Sequence, residues 1–279
     1  MMHLWYIITS WLPFDWLQFM FMKNALLAVL IVTPIFGIMG TMVVNNRMAF
    51  FADSLGHSAL TGIALGVILG IPNPIWSMIG FALVFSVGIL MVKSGNKTST
   101  DTVIGVFTSI AVALGVVILS RGGGFTKYST YLIGDLLSIT PEEIGMLGLV
   151  LIAVIIFWYF SFNKLLLVSI NESLAKSRGV KIFLAEILFT ALVAVVVTIA
   201  IQWVGLLIIN SLLILPAASA RNIAVNAKQY HLCSITISIF SGITGLILSY
   251  YWGTATGATI ILISAIFFFL TFFIRKFMY

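Results

Sequence analysis

The chain has 279 residues, 61% of them hydrophobic and only 8% charged, and its mean hydropathy is +1.19. A soluble globular domain carries about 25% charged residues, so that class is excluded. The net charge of +6 has a topological meaning and does not point to nucleic acid.

No Lys or Arg precedes Lys23, so the opening segment lacks the charged region of a signal peptide. Trp5, Tyr6, Trp11, Phe14 and Trp16 predict an interfacial anchor over residues 1–23. Apolar runs then recur at about 25–44, 50–70, 75–92, 102–120, 143–162, 182–201, 204–220, 231–250 and 257–274, most of them long enough to cross a bilayer core. The fold class is therefore an all-α polytopic membrane protein with eight or nine transmembrane helices. Each helix satisfies its own backbone groups, which lipid cannot do. The whole chain, 1–279, reads as one transmembrane domain without an internal repeat. The span at 204–220 is short and contains Asn210, Ser211 and Pro216, which predicts a broken or re-entrant element.

Turn chemistry separates the runs. Asn45-Asn46-Arg47, Pro72-Asn73-Pro74, Lys93-Ser94-Gly95-Asn96-Lys97 and Trp252-Gly253-Thr254 all stop helices. Two longer connections remain. One, at 121–142, holds Gly122-Gly123-Gly124 and the semi-apolar stretch 131–137, which predicts a short surface helix. The other, at 163–181, is polar; Asn171 or Ser169 can cap a helix there and Gly179 can end it.

With the N-terminus outside, the inner loops and ends carry Arg47, Lys93, Lys97, Lys164, Lys176, Arg178, Lys181, Arg221, Lys228, Arg275 and Lys276. The outer ones carry Lys23, Arg121 and Lys127. Eleven against three is an inside bias. It predicts N-out, C-in and an odd number of crossings.

Asp53 and His57 stand four residues apart in the second run, in Asp53-Ser54-Leu55-Gly56-His57. On a helix that spacing places both on one face, where a carboxylate oxygen and an imidazole nitrogen can share one divalent cation. Ionisable groups within a span are costly and mark a pathway. Two ligands do not complete a site; waters, backbone carbonyls, another span or a second copy of the chain would supply the rest. The plainer reading is a helix-start Asp with a His packed beside it. Depth is a difficulty: Asp53 lies only ~5 Å along a helix that begins at residue 50.

Gly62, Gly66 and Gly70 form a small-residue ridge for close helix approach. Asn210 and Ser211 either line a pathway or glue helices, and Glu186 reaches toward the interface. His3 and His231 read as interfacial residues. Single Cys233 forms no intrachain disulfide and is a poor basis for a soft-metal site. No G-x-x-x-x-G-K-[S/T] loop occurs, so the chain does not bind ATP in the usual way.

The stretch Phe51-Ala52-Asp53-Ser54-Leu55-Gly56-His57-Ser58-Ala59-Leu60-Thr61-Gly62-Ile63-Ala64 resembles the second-span signature of the zinc/manganese ABC-transporter permease family. So do Gly205–Arg221, ending in Leu-Leu-Ile-Leu-Pro-Ala-Ala-Ser-Ala-Arg, the stretches 245–250 and 257–262, and Asp101-Thr102-Val103-Ile104-Gly105-Val106. The resemblance covers nearly the whole chain. It implies a single permease domain, a dimer of two permease copies in the prokaryotic plasma (inner) membrane, a cytoplasmic ATP-binding subunit and an extracytoplasmic metal-binding protein. It implies Asp53 and His57 as metal-pathway ligands, no permanently bound cofactor, and Zn²⁺ or Mn²⁺ as transported ions. It also implies that 163–181, with Glu172, Ala175 and Gly179, couples to the ATPase; Asn171 stands where an acidic residue is common. The rival is a proton-coupled secondary carrier using Asp53 and His57 as a relay. A hydrolase pairing Ser58 with His57 is disfavoured, since adjacent helical residues point apart.

Overall fold

The computed structural model describes residues 2–11, 13–95, 99–121 and 130–278. The elements are α1 Met2–Ser10, α2 Met20–Asn45, α3 Ala49–Ile68, α4 Pro74–Gly95, α5 Thr100–Arg121, α6 Thr130–Ile133, α7 Pro141–Ile170, α8 Glu172–Ser177, α9 Ile182–Val204, α10 Leu206–Ile223, α11 Ala227–Trp252 and α12 Thr256–Met278. Eight of these (α2–α5, α7, α9, α11 and α12) are long and apolar enough to cross a membrane. The expected elements at Gly122-Gly123-Gly124, Asn96, Lys97 and Lys127 lie outside the described residues.

Three boundaries differ from expectation, each for a physical reason. Helix α7 runs to Ile170, so the connection placed at 163–181 begins only at Asn171. Its apolar Leu165 and Val168 stay buried while Lys164 points outward, a charge at the polar end of a helix that need not interrupt it. The 204–220 element is short but unbroken: α10 is a continuous helix of 18 residues with Pro216 inside it. The break precedes it, at Gly205, whose φ of 92° no other residue type adopts readily. The stretch 131–137 splits at Gly134 into α6 and a 3₁₀ turn, Leu136–Ser138.

The chain forms two compact units. The first comprises residues 1–41, 133–155 and 203–279. Within it α10, α11 and α12 pack mutually, and α2 lies on α11. Ser234 and Ser238 donate to the carbonyls of Gly37 (2.7 Å) and Thr33 (2.8 Å) on α2, a polar seam of the kind that associates helices where no hydrophobic drive exists between them. Helix α1 is pinned to the start of α2 by Trp5 Nε1 on the Lys23 carbonyl (2.9 Å) and the Tyr6 hydroxyl on Asn24 Oδ1 (2.8 Å). Of the five expected anchor aromatics, Trp16 departs from the pattern: it is buried, stacked on Phe14.

The second unit comprises residues 42–132 and 156–202. Helix α3 packs on both α4 and α5. A Cβ on Gly62 would stand 2.6 Å from Met78 Cα of α4, and one on Gly115 of α5 would stand 2.9 Å from the Thr61 nitrogen of α3. The Thr61 hydroxyl also donates to the Ala111 carbonyl of α5. Gly66 continues the expected ridge against Ser77, but Gly70 does not: nothing lies within 4 Å of its Cβ position. With φ of 66° it ends α3 instead, the Ile71 amide returning to the Gly66 carbonyl (2.9 Å), as in a Schellman cap.

Candidate functional site

Helix α3 begins after a tight turn at Asn46–Met48, in which Arg47 takes a left-handed φ of 55°. Six residues beyond Arg47 comes Asp53, and one helical turn later His57. From Phe51 to Ala64 every residue of α3 is buried except these two. Their side chains are 46% and 38% exposed respectively, and Asp53 Oδ2 stands 3.7 Å from His57 Nε2. Packing explains the selection. Asp53, His57 and Thr61 follow one another at four-residue spacing on the face of α3 that looks toward α5; Thr61 closes on α5 at Ala111 and Gly115, whereas the two ionisable side chains stand where the helices leave space.

That face opens into a cleft of about 790 Å³ between α3 and α5. Besides Asp53 and His57, it is lined by Ser54 of α3 and by Asp101, Gly105, Thr108 and Ser109 of α5, with an apolar remainder. Two donors bound to one tetrahedral zinc at about 2.0–2.2 Å each stand about 3.3–3.6 Å apart, so the 3.7 Å separation is close to that of a shared cation. Among the described residues no group of three or more His, Cys, Asp or Glu side chains gathers at one point. Asp53 and His57 are the pair whose spacing matches a shared ion among the described residues.

Asp101 was not singled out from its chemistry, because 48 residues separate it from Asp53 and no pattern links them. Its one legible signal is its position as an acid in the first turn of a span. It lines a second cavity as well, of about 400 Å³, shared with Arg47, Lys93 and Glu172. Glu172 opens α8, a short helix whose N-terminus is capped by Asn171 Oδ1 on the Leu174 amide (3.0 Å) and whose end turns at Gly179, φ 75°; both caps are the expected ones. Ala175 is fully buried.

The other sequence-derived residues are placed elsewhere. Asn210 and Ser211 lie half-buried on α10, in the first unit, and do not line the Asp53/His57 cleft. Glu186, near the start of α9, pairs with Lys93 in the last turn of α4 at 3.2 Å, joining the two helices at their ends. His231, in the second turn of α11, has its ring nitrogens 3.0 Å from Thr41 Oγ1 and 2.8 Å from the Ala227 carbonyl. Ser58 is fully buried and donates to the Leu55 carbonyl (2.9 Å), which engages that hydroxyl within its own helix and not with His57.

Among the described residues, eight helices long and apolar enough to cross a membrane define a polytopic α-helical membrane protein. The backbone superimposes with a TM-score of 0.81 on PsaBC from Streptococcus pneumoniae, solved in complex with Fab, over 98% of this chain and 96% of that one, at 29% identity. The chain belongs to the ABC 3 transport family, which matches residues 18–275. It is 33% identical to the high-affinity zinc uptake system membrane protein ZnuB of Haemophilus influenzae over 90% of this chain and 97% of that protein. It is also 33% identical to the manganese import system permease protein ScaB of Streptococcus parasanguinis, over 92% and 91% of the two chains. This is a multi-pass protein of the prokaryotic plasma membrane.

Proposed function

We propose that this chain is the membrane-spanning permease subunit of an ATP-driven importer of divalent transition metal ions, zinc or manganese, and that the ion passes through the cleft holding Asp53 and His57. The observation that carries the reading is the burial pattern of α3, in which Asp53 and His57 are the two residues between Phe51 and Ala64 that are not buried, and both line the cleft. An anionic carboxylate draws the dication in and partly neutralises it, and the neutral imidazole adds a donor suited to transition metals. A transport site must accept an ion and also release it. Two protein donors with water completing the shell meet that need better than a closed four-ligand site, which is the arrangement of structural zinc.

The chain takes its energy from a cytoplasmic ATP-binding subunit seated on α8, with Glu172, Ala175 and Gly179 shaping that element. An extracytoplasmic protein delivers the metal, and a second permease copy completes the channel. With α10, 18 residues long, crossing as a ninth helix, the N-terminus is outside and the C-terminus inside. Ions leaving the pair pass Asp101, the carboxylate common to the cleft and the cavity that Glu172 lines. Asp101→Asn is expected to lower uptake severalfold while sparing membrane insertion; unaltered uptake removes Asp101 from the route.

The test of the class is reconstitution. Liposomes holding this chain with its ATP-binding subunit are expected to accumulate metal only with ATP, and liposomes holding the chain alone are expected to accumulate none. Uptake by the chain alone, driven by a proton gradient, would establish a secondary carrier instead.

A further inference from the structure

On the second unit, α7, the turn after α8, and α9 enclose a groove of about 320 Å³ that the transport route does not use. Its rim carries Lys164 from α7 and Arg178 and Lys181 from the turn; its floor carries Leu184 and Leu188 of α9. The turn closes on itself at Gly179, φ 75°, with the Val180 amide returning to the Ala175 carbonyl at 3.0 Å. That geometry sets Arg178 and Lys181 on either side of one bend. No acidic residue lines the groove. Among the described residues none of the three cations stands in an ion pair.

We propose that this groove binds the phosphate headgroup of an anionic phospholipid, with an acyl chain lying along Leu184 and Leu188. Three observations fix the occupant. Three unneutralised cations around one small concavity call for a phosphate-bearing anion, to which the Arg178 guanidinium can donate in bidentate fashion. Leu184 and Leu188 are 51% and 48% exposed and lie one turn apart, so the apolar floor continues from the charged rim up the face of a membrane span. A soluble anion has no use for that floor, whereas a lipid tail does; basic pockets at the ends of spans recognise anionic headgroups in this way. Finally, no residue of α8 itself, 172–177, lines the groove, and of the three residues assigned to ATPase coupling Gly179 alone reaches it, so the groove lies beside the crest of that helix and not on it. The proposal requires only that the chain spans a membrane, not that it carries metal.

The test is native mass spectrometry of the full-length chain in detergent, titrated with phosphatidylglycerol or with phosphatidylcholine of the same acyl composition. Each cation near an anionic headgroup is worth roughly a fivefold preference. The K164Q/R178Q/K181Q chain is therefore expected to lose about 100-fold of its preference for phosphatidylglycerol over phosphatidylcholine. Lys164→Gln alone, on the exposed side of a long helix, loses about fivefold and serves where the triple variant is not recovered. Undiminished preference in the variants overturns the proposal. So does displacement of the lipid by inorganic phosphate at millimolar concentration with no dependence on acyl chains, which would make this a soluble-anion site. Retention of lipid coupled with loss of co-purification of the ATP-binding subunit also overturns it, by assigning the cations to a protein contact.

Discussion

Asp53→Ala or His57→Ala is expected to abolish metal uptake while the chain reaches the membrane at normal abundance. The reason lies in what each substitution leaves behind. Loss of a residue that merely orients a metal ligand costs about 10–100-fold in affinity, and loss of a ligand from a site with only two protein donors costs more, so uptake falls by more than about 100-fold. Neither change disturbs packing, because both side chains face the cleft while their neighbours on α3 make the contacts. Asp53→Asn separates charge from shape: it keeps the volume and one acceptor oxygen but removes the neutralising charge, and it is expected to fail nearly as completely. Radiolabelled uptake in membrane vesicles, with abundance measured on the same vesicles, decides the matter. Normal uptake by either alanine variant ends the case for this pair as the pathway.

Gly62→Leu and Gly115→Leu are expected to cripple the protein by a different route. At both positions the missing side chain is replaced by the backbone of a neighbouring helix, Met78 at Gly62 and Thr61 at Gly115. Backbone cannot rotate away as a flexible side chain can. The helices must separate, and overpacking of this kind costs about 1–3 kcal/mol. The loss is compounded at Gly115, because moving α5 also breaks the hydrogen bond from Thr61 to Ala111. Thermal stability in detergent is expected to drop in both variants, and uptake with it, since α3 carries the ionisable pair. Gly80→Ala is the control. Nothing lies within 4 Å of a Cβ there, so that variant is expected to match or slightly exceed the parent, an alanine in a helix being favoured by roughly 0.5–1 kcal/mol. If Gly62→Leu melts with the parent, the α3–α4 seam is looser than its geometry states.

The spans were legible because lipid imposes a strict rule on every stretch within it, and runs such as 25–44, which holds no charged residue, obey that rule. The caps were legible for a related reason: Asn171 and Gly179 act over four residues, and their effect is local. Contacts between helices were not. Nothing in the sequence near Glu186 announces Lys93, 93 positions away, and nothing near Asp53 announces that Asp101 shares its cleft. Gly70 misled because it keeps the four-residue spacing of Gly62 and Gly66 yet lies one residue past the point where the helix turns. The i, i+4 relation of Asp53 and His57 stood out because both residues belong to one helix; the orientation that gives it meaning depends on α4 and α5.

The seam between α2 and α11 has a consequence for how this chain can change over generations. Ser234 and Ser238 bond to main-chain oxygens of α2, not to side chains. A carbonyl is present whatever residue bears it. Mutational drift at those α2 positions is thus limited by bulk alone, whereas on α11 only a small hydroxyl-bearing residue preserves the grip. The two partners in this contact are constrained unequally, and pairwise covariation between them should be faint although they touch.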